Sequence, residues 1–250
     1  MSAPKLNEIY LSSSPHFTSG DTTQTIMLTV LIALLPECVY GVIVFGIRAL
    51  VTVIVAVTGC IIFEALFQKL TKQKICISNL SAAVTGVMLS LVIPSTAPVW
   101  TVILGALTAV VLAKGLFGGI GANVFNPALT GRAVMFISFP AVMGAGWLNI
   151  DSGTDKWNYA ASGVANLDAV SGATVLSRIK EGGFEADAPL LLSYFLGNRA
   201  GCIGETSIIL ILLSFIFLLV TGTIDWRAPA GMIGTVALSV FISSAIELHD

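Results

Sequence analysis

The sequence predicts an all-α integral membrane protein, a multi-helix bundle in which some helices are broken inside the membrane. Hydrophobic residues make up 56% of the chain and charged residues only 10%, whereas an average soluble domain carries roughly 25% charged residues. Apolar runs of about 20 residues recur, which is long enough for a helix to cross the hydrocarbon core of a bilayer. Glycine and proline interrupt two other apolar segments, which indicates irregular backbone at membrane depth.

The first two apolar runs set the predicted orientation. They cover residues 25–45 and 49–67, and the segment that follows, residues 68–74, carries three lysines. Positively charged loops stay on the cytoplasmic side, so we place this loop there. Two crossings separate it from residues 1–23, which are therefore cytoplasmic as well. That N-terminal segment is polar, which excludes a cleavable signal peptide.

The next segments are shorter and irregular. Residues 79–92 run into Pro94 and Pro98, which break a helix, and residues 99–116 cross back. Several glycines then precede Asn126 and Pro127, residues typical of a helix N-cap and of the first helical position. The helix predicted over 127–138 is about 18 Å long at 1.5 Å per residue, too short for a core of about 30 Å.

Broken membrane segments favour a binding site inside the membrane. Non-helical backbone at that depth must line a cavity or lie against protein, because lipid offers it no hydrogen bonds. A kinked structural helix is the alternative. Arg132 lies within the short helix 127–138, where an unpaired charge is costly and usually functional.

Four parts follow from this pattern. Residues 1–23 form the cytoplasmic segment, 24–145 a first membrane repeat with about five crossings, 146–203 a polar extracytoplasmic loop, and 204–250 the first two crossings of a second repeat. The loop lies outside by the count of crossings. Folds built from inverted repeats need equal halves, so a five-plus-five arrangement lacks three helices here.

The polar loop contains a stretch of small residues that ends in an accessible hydroxyl. Its residues are Asp168, Ser171, Gly172, Ala173 and Thr174. Asp168 is suited to position a metal ion or a phosphate while a group is attached to Thr174. If the next segment is helical, Arg178 lies one turn beyond Thr174 on the same face, where it pairs with a phosphate. The residues alone favour the alternative, a Ser/Gly turn that leads into a surface helix.

Asp168-x-x-Ser-Gly-Ala-Thr174 is similar to the flavinylation motif of the D-type membrane component of the Rnf electron-transport complex and of its relative, the B-type component of the sodium-pumping NADH:quinone oxidoreductase. Six further stretches resemble the D-type Rnf component: Ser14-Pro-His16, Ala33-Leu-Leu-Pro36, Gly115-Leu-Phe-Gly-Gly119, Phe125-Asn-Pro-Ala-Leu129, Gly131-Arg132-Ala133 and Gly201-Cys-Ile-Gly-Glu-Thr-Ser207. The resemblance extends from about residue 14 to residue 228.

The resemblance implies two flavins. FMN is joined to Thr174 through a phosphoester bond, which a separate flavin transferase forms outside the cytoplasm. Asn123 and Asn126 approach a second, non-covalent flavin, riboflavin. Their amides offer both donors and acceptors to an isoalloxazine edge, and the glycines before them permit close backbone approach. For Asn126 a role as helix cap is an equally good interpretation.

The sequence allows two roles for Arg132. One is to stabilise an anionic reduced flavin. The other, which is favoured, is a structural ion pair with Glu37 or Glu64.

The resemblance also implies a fold and a place in the cell. Family members have a urea-transporter-like fold of two inverted five-helix halves, of which the second is incomplete in this chain. They continue past the position of Asp250, so we expect either a truncated or partly observed chain, or a second half that is genuinely incomplete. The location implied is the cytoplasmic (inner) membrane of a bacterium or archaeon.

The implied function is electron transfer. A membrane component of the complex relays electrons between ferredoxin and NAD, coupled to Na⁺ or H⁺ transport. Its partners are a second FMN-bearing subunit and iron–sulfur membrane subunits. A solute transporter or channel also suits broken helices, and a scaffold without a redox role is a third interpretation. The motif that ends at Thr174 favours electron transfer, since a pore has no use for it.

Two further classes of partner find little support. The sequence has no basic patch of the kind that binds nucleic acid. The four cysteines, Cys38, Cys60, Cys76 and Cys202, lie far apart without a C-x-x-C pair, which argues against a self-contained zinc or iron–sulfur site. A cluster shared with another protein of the complex stays open. The two histidines lie near the chain ends and suggest no metal site.

Overall fold

The computed structural model describes residues 22–73, 75–144, 192, 195–197, 201–205 and 207–247, with side chains described as far as residue 242. The main helices in these ranges are α1 (Thr23–Phe45), α2 (Ile47–Leu70), α3 (Ser81–Leu91), α4 (Val99–Leu107), α5 (Pro127–Ser138), α6 (Pro140–Gly144), α7 (Ile208–Val220) and α8 (Arg227–Glu247). The prediction of a helical protein is confirmed for these residues.

Helices α1 and α2 are long and apolar enough to cross a membrane by length and composition. The hydroxyl of Thr22 caps α1 by accepting the N–H of Thr25 at 3.2 Å. Gly46 separates the two helices with a φ of 76°, a conformation that glycine adopts at little cost. The helices predicted over residues 25–45 and 49–67 are therefore confirmed as helices.

The broken segments are also confirmed. Helix α3 ends at Leu91, before the two prolines, and α5 ends at Ser138. Helix α3 begins later than predicted because a 3₁₀ turn, Ile77–Asn79, comes first. The Asn79 side chain then accepts the backbone N–H of Ser81 at 3.1 Å, which starts the helix.

A π-helix, Thr108–Gly115, continues α4 directly. We predicted one ordinary crossing over residues 99–116, so this change of helix type was not expected. Such wide turns occur mostly as short insertions in α-helices, often at functional sites. This one includes Lys114.

Helix α2 is the centre of the bundle, packed against α3, α4 and the π-helix, while α5 packs against α4 and the π-helix. The core between them is lined mainly by small or slender side chains, including Ala56, Cys60, Leu89, Ala106, Ala109 and Met135. A Cβ on Gly131 of α5 would lie 2.7 Å from the carbonyl oxygen of Gly105. Small residues at such crossings let helix backbones approach closely, as is usual between membrane helices.

Helix α7 joins this bundle through α1, where the Ser214 hydroxyl donates to the carbonyl oxygen of Ala33 at 2.6 Å. We predicted that this crossing starts at residue 204, but α7 begins at Ile208. Residues Ile203–Glu205 form a separate 3₁₀ turn that contacts α1 and α3. Glu205 therefore lies in this 3₁₀ turn, before α7 begins.

Candidate functional site

The predicted attachment site falls outside the described residues. It consists of Asp168, Ser171, Gly172, Ala173, Thr174 and Arg178, all of which lie between the end of α6 and residue 192. Their roles stay predictions.

The glycine-rich turn, residues 116–126, connects the π-helix to α5. Gly118, Gly119 and Gly121 have φ values of 101°, 92° and 83°, which only glycine adopts readily. A Cβ on Gly119 or Gly121 would meet no atom within 4 Å, so this side of the turn is open. The turn is fixed to the π-helix where the Gly119 N–H donates to the Lys114 carbonyl oxygen at 3.0 Å.

Both predicted asparagines lie at the end of this turn. The Asn126 side-chain oxygen accepts the N–H groups of Ala128 and Leu129 at 3.0 and 3.3 Å, so its role as the cap of α5 is confirmed. The Asn123 amide donates to the carbonyl oxygen of Phe125 at 3.0 Å. Because both capping bonds use the oxygen of Asn126, its NH₂ group is the part that can meet a ligand without loss of the cap.

The cavity beside the glycine-rich turn is too small for a flavin ring. The cavity beside Gly115 and Gly119 has a volume of about 30 Å³, whereas small-molecule pockets usually measure roughly 300–1,000 Å³. This cavity cannot hold an isoalloxazine ring. The amides of Asn123 and Asn126 fit one edge of such a ring only if the ring lies on the open side of the turn, with another surface covering it.

A buried ion pair lies directly behind the glycine-rich turn. Lys114 of the π-helix donates from Nζ to Glu64 Oε2 of α2 at 2.5 Å, and each side chain is only 6% exposed. Lys114 Nζ also donates to the hydroxyl of Ser81 at 2.5 Å. That hydroxyl in turn donates to the Asn79 side-chain oxygen at 3.1 Å, so the ammonium charge polarises a chain of hydrogen bonds.

The second carboxylate oxygen of Glu64 is also engaged. Gln68, one turn later on α2, donates its side-chain N–H to Glu64 Oε1 at 3.2 Å. The oxygen of the same amide accepts the backbone N–H of Cys76 at 2.9 Å. The pair thus links α2, α3, the π-helix and the connection that precedes α3.

This pair was not predicted from the sequence. A signal was present. Glu64 and Lys114 are charged residues within apolar runs, and charges at membrane depth usually pair with each other.

Arg132 has a different partner from those predicted. Its Nη1 lies 3.7 Å from Glu205 Oε1, and its Nη2 lies 3.8 Å from the Cys202 sulfur. The proposed pairs with Glu37 and Glu64 are wrong, because Glu64 binds Lys114 and Glu37 lies on α1 beside α7. Arg132 therefore forms an ion pair, but with a partner that was not predicted, and its role toward a flavin stays a prediction.

Cys202 and Ile203 attach the segment before α7 to the broken end of α3. The Cys202 thiol donates to the Val92 carbonyl oxygen at 3.2 Å, and the Ile203 N–H donates to the Ile93 carbonyl oxygen at 3.3 Å. These contacts give hydrogen-bond donors to the two backbone carbonyl groups that directly follow α3. Cys202 is completely buried and serves here as a packing residue with a weak donor.

Among the described residues, no group of three or more His, Cys, Asp or Glu side chains is arranged to hold a metal ion. Two ion pairs, Glu64–Lys114 and Arg132–Glu205, link charged side chains of different segments of the bundle.

Two helices long and apolar enough to cross a membrane, together with shorter broken apolar helices, indicate the class of helical membrane proteins. The chain belongs to the NQR2, RnfD, RnfE family, whose sequence model matches residues 10–249. The resemblance to this family found in the sequence motifs is therefore confirmed.

Individual relatives agree with this assignment. The chain is 37% identical to the D component of the proton-translocating ferredoxin:NAD(+) oxidoreductase complex of Clostridium ljungdahlii, over 94% of this chain and 69% of that protein. It is 36% identical to the D component of the Na(+)-translocating ferredoxin:NAD(+) oxidoreductase complex of Acetobacterium woodii, over 93% of this chain and 70% of that protein. The D component of the ion-translocating oxidoreductase complex of Rhodobacter capsulatus is 34% identical over 92% of this chain and 69% of its own length.

Proposed function

We propose that this chain is the D-type membrane component of an Rnf-type complex that transfers electrons between ferredoxin and NAD and couples this transfer to Na⁺ or H⁺ translocation. The observation that carries the proposal is family membership over residues 10–249, together with relatives whose names describe the same component of such complexes. The chain alone turns over no substrate and acts only within the complex.

The proposed electron path includes FMN bound covalently to Thr174. A phosphoester joins the threonine Oγ to the FMN phosphate, and a separate flavin transferase forms this bond. Small neighbours at Ser171, Gly172 and Ala173 give the transferase access. Asp168 positions the incoming phosphate, and Arg178 pairs with it after attachment.

A second, non-covalent flavin, riboflavin, is proposed on the open side of the glycine-rich turn. The Asn123 amide and the NH₂ group of Asn126 bind its polar edge, and the positive-φ glycines let the backbone approach the ring. Another protein of the complex covers the opposite face. When bound, the flavins supply the redox chemistry, while the protein binds, orients and shields them.

The proposed topology follows the lysines after α2. Lys69 and Lys72 favour a cytoplasmic position for the end of α2, and the Glu64–Lys114 pair and the glycine-rich turn lie near this end of the helix. The loop with Thr174 lies outside the cytoplasm. The proposed partners are the lipid bilayer, a second FMN-bearing subunit and iron–sulfur membrane subunits.

Purification of the native complex through a tag on this chain tests the function. We expect other membrane proteins of the complex to co-purify and the preparation to reduce NAD⁺ with reduced ferredoxin. A matched preparation from cells that lack this chain should lose at least nine-tenths of the rate. An unchanged rate in membranes without the chain would contradict the proposal.

A further inference from the structure

A groove opens between the beginning of α2 and the beginning of α4, where the chain that follows α3 bends at two prolines. Its volume is about 420 Å³, which lies within the range of roughly 300–1,000 Å³ that is usual for small-molecule pockets. No residue of this groove takes part in the proposed electron path.

The lining of the groove combines polar and apolar side chains. Arg48 is half-buried, and the hydroxyl-bearing Thr52 and Ser95 are only 3% and 4% exposed. Val51 and Val99 are exposed apolar residues of the same groove. A guanidinium has five N–H donors in a planar fork, so Arg48 can hold an anion and still keep a contact with the protein. This combination matches a ligand that has both an anionic head and an apolar part.

The charge of the lining favours a phosphate. The described residues that line the groove include one cation, Arg48, and no carboxylate. Arginine binds phosphate oxygens through paired, charge-assisted hydrogen bonds. A zwitterionic lipid would bring an ammonium group close to Arg48 without a carboxylate to receive it, so an anionic lipid fits better. One arginine suits one phosphate.

The position of Arg48 along α2 corresponds to the level of lipid headgroups. Arg48 and Lys69 belong to the same helix and are about 32 Å apart along its axis at 1.5 Å per residue. The hydrocarbon core of a bilayer is about 30 Å thick. The two cations therefore lie at opposite edges of the core, where the phosphate groups of lipids begin.

Trp100 marks the same level on α4. It directly follows Val99, it is 55% exposed, and its ring packs edge-on against Phe139 with the ring centroids 4.9 Å apart. Tryptophan is enriched where membrane meets water. A phospholipid is therefore favoured over a water-soluble phosphate, which would make no use of the apolar walls at Val51 and Val99.

We propose that this groove binds an anionic phospholipid with a single phosphate, such as phosphatidylglycerol. Arg48 donates hydrogen bonds to the phosphate, with the hydroxyls of Thr52 and Ser95 as further donors. The first part of the acyl chains lies along Val51 and Val99. The bound lipid covers the bend between α3 and α4, where the backbone is not helical.

Lipid binding to the full chain in detergent tests the proposal, with native mass spectrometry as the readout. We expect the wild-type chain to bind phosphatidylglycerol about tenfold more tightly than phosphatidylethanolamine with the same acyl chains, which corresponds to about 1.4 kcal/mol. Arg48→Gln should remove this preference. Arg227→Gln is the matched control, because it makes the same chemical change at a side chain that is 80% exposed and outside the groove. It should keep the wild-type affinity.

A second variant closes the groove without a change of charge, so the test does not depend on the folding of Arg48→Gln. Val51→Phe places a large ring at an exposed position of the lining, and it should also lower the affinity for phosphatidylglycerol about tenfold. Ile62→Phe is its control, since Ile62 is exposed on the same helix but does not line the groove.

Three results would overturn the lipid site. The first is equal affinity of the wild-type chain for the two lipids. The second is wild-type affinity for phosphatidylglycerol in folded Arg48→Gln or in Val51→Phe. The third is displacement of the lipid by millimolar inorganic phosphate or FMN, which would assign the groove to a water-soluble phosphate or to a flavin. We expect neither competitor to displace the lipid, because neither has acyl chains for the apolar walls.

Discussion

At the scale of single residues, the buried Glu64–Lys114 ion pair stabilises the bundle. Both side chains are almost completely buried, and they hold α2 and the π-helix together. Removal of one partner from a buried pair leaves an uncompensated charge, which costs about 3–5 kcal/mol, whereas replacement of both partners by neutral residues costs much less.

This difference gives the first prediction. Lys114→Met should destabilise the protein by about 3–5 kcal/mol because the Glu64 carboxylate stays buried without its partner. Addition of Glu64→Gln in the same chain should restore a large part of the loss. Thermal unfolding in detergent, followed by tryptophan fluorescence, measures both. A double variant that is no more stable than Lys114→Met would contradict the stabilising role of the pair.

Asn126 has two separable roles, and the second prediction distinguishes them. Asn126→Asp keeps an oxygen that caps α5 but removes the NH₂ group proposed to bind the second flavin. Its stability should stay close to wild type, since Asp and Asn cap helices about equally well. The extractable riboflavin should fall by at least half. Asn126→Ala serves as the comparison, because it should lose the flavin and also about 1 kcal/mol of stability.

If Asn126→Asp and Asn123→Ala both keep the full riboflavin content, the second flavin does not bind at the turn.

At the residue scale, local features were more predictable from the sequence than pairings. The cap at Asn126 depends on the next few residues and was predicted correctly. The partner of Arg132 was not, because Glu205 lies beyond the long polar loop and only the folded chain brings the two together. The role of Lys114 was missed for the same reason, since its partner is on another helix.

At the scale of elements, close helix contacts through glycine position the short helix α5. A side chain on Gly131 would push α5 away from α4, because its Cβ would lie 2.7 Å from the Gly105 carbonyl oxygen and 3.0 Å from the Ala109 Cβ. Backbone atoms at such a contact cannot rotate aside. The position of α5 in turn fixes both the glycine-rich turn at its start and Arg132 within it.

The third prediction follows from this contact. Gly131→Ala should destabilise the protein by about 1–3 kcal/mol, the usual cost of overpacking a tight site. Gly231→Ala in α8 is the matched control, since a Cβ there meets no atom within 4 Å. It should be neutral or stabilising by up to about 1 kcal/mol, because alanine favours helix over glycine. Equal effects of the two substitutions on the melting temperature would contradict the packing described.

Helix positions themselves were largely predictable, since apolar runs and prolines mark them in the sequence. The π-helix was not, because no local pattern separates it from an ordinary helix. The start of α7 was misplaced because residues 203–205, although next to an apolar run, are held by the broken end of α3.

At the scale of the whole molecule, helices α1 to α7 form a bundle with a charged network at one end. The family relationship covers nearly the whole chain, so it extends across the polar loop that carries the predicted flavin attachment motif. The proposed electron-transfer function depends on the predicted attachment of FMN in this loop. The arrangement of two inverted repeats stays a prediction from the resemblance.

Covalent flavin on Thr174 is the central claim, and mass spectrometry of this chain from native membranes tests it most directly. We predict that the peptide with Thr174 carries FMN and that the denatured chain fluoresces as a flavoprotein on a gel. Thr174→Val should abolish the signal, while Thr154→Val, in the same loop but outside the motif, should keep it. An unmodified Thr174 peptide from native membranes, or fluorescence that persists in Thr174→Val, would contradict covalent attachment at this residue.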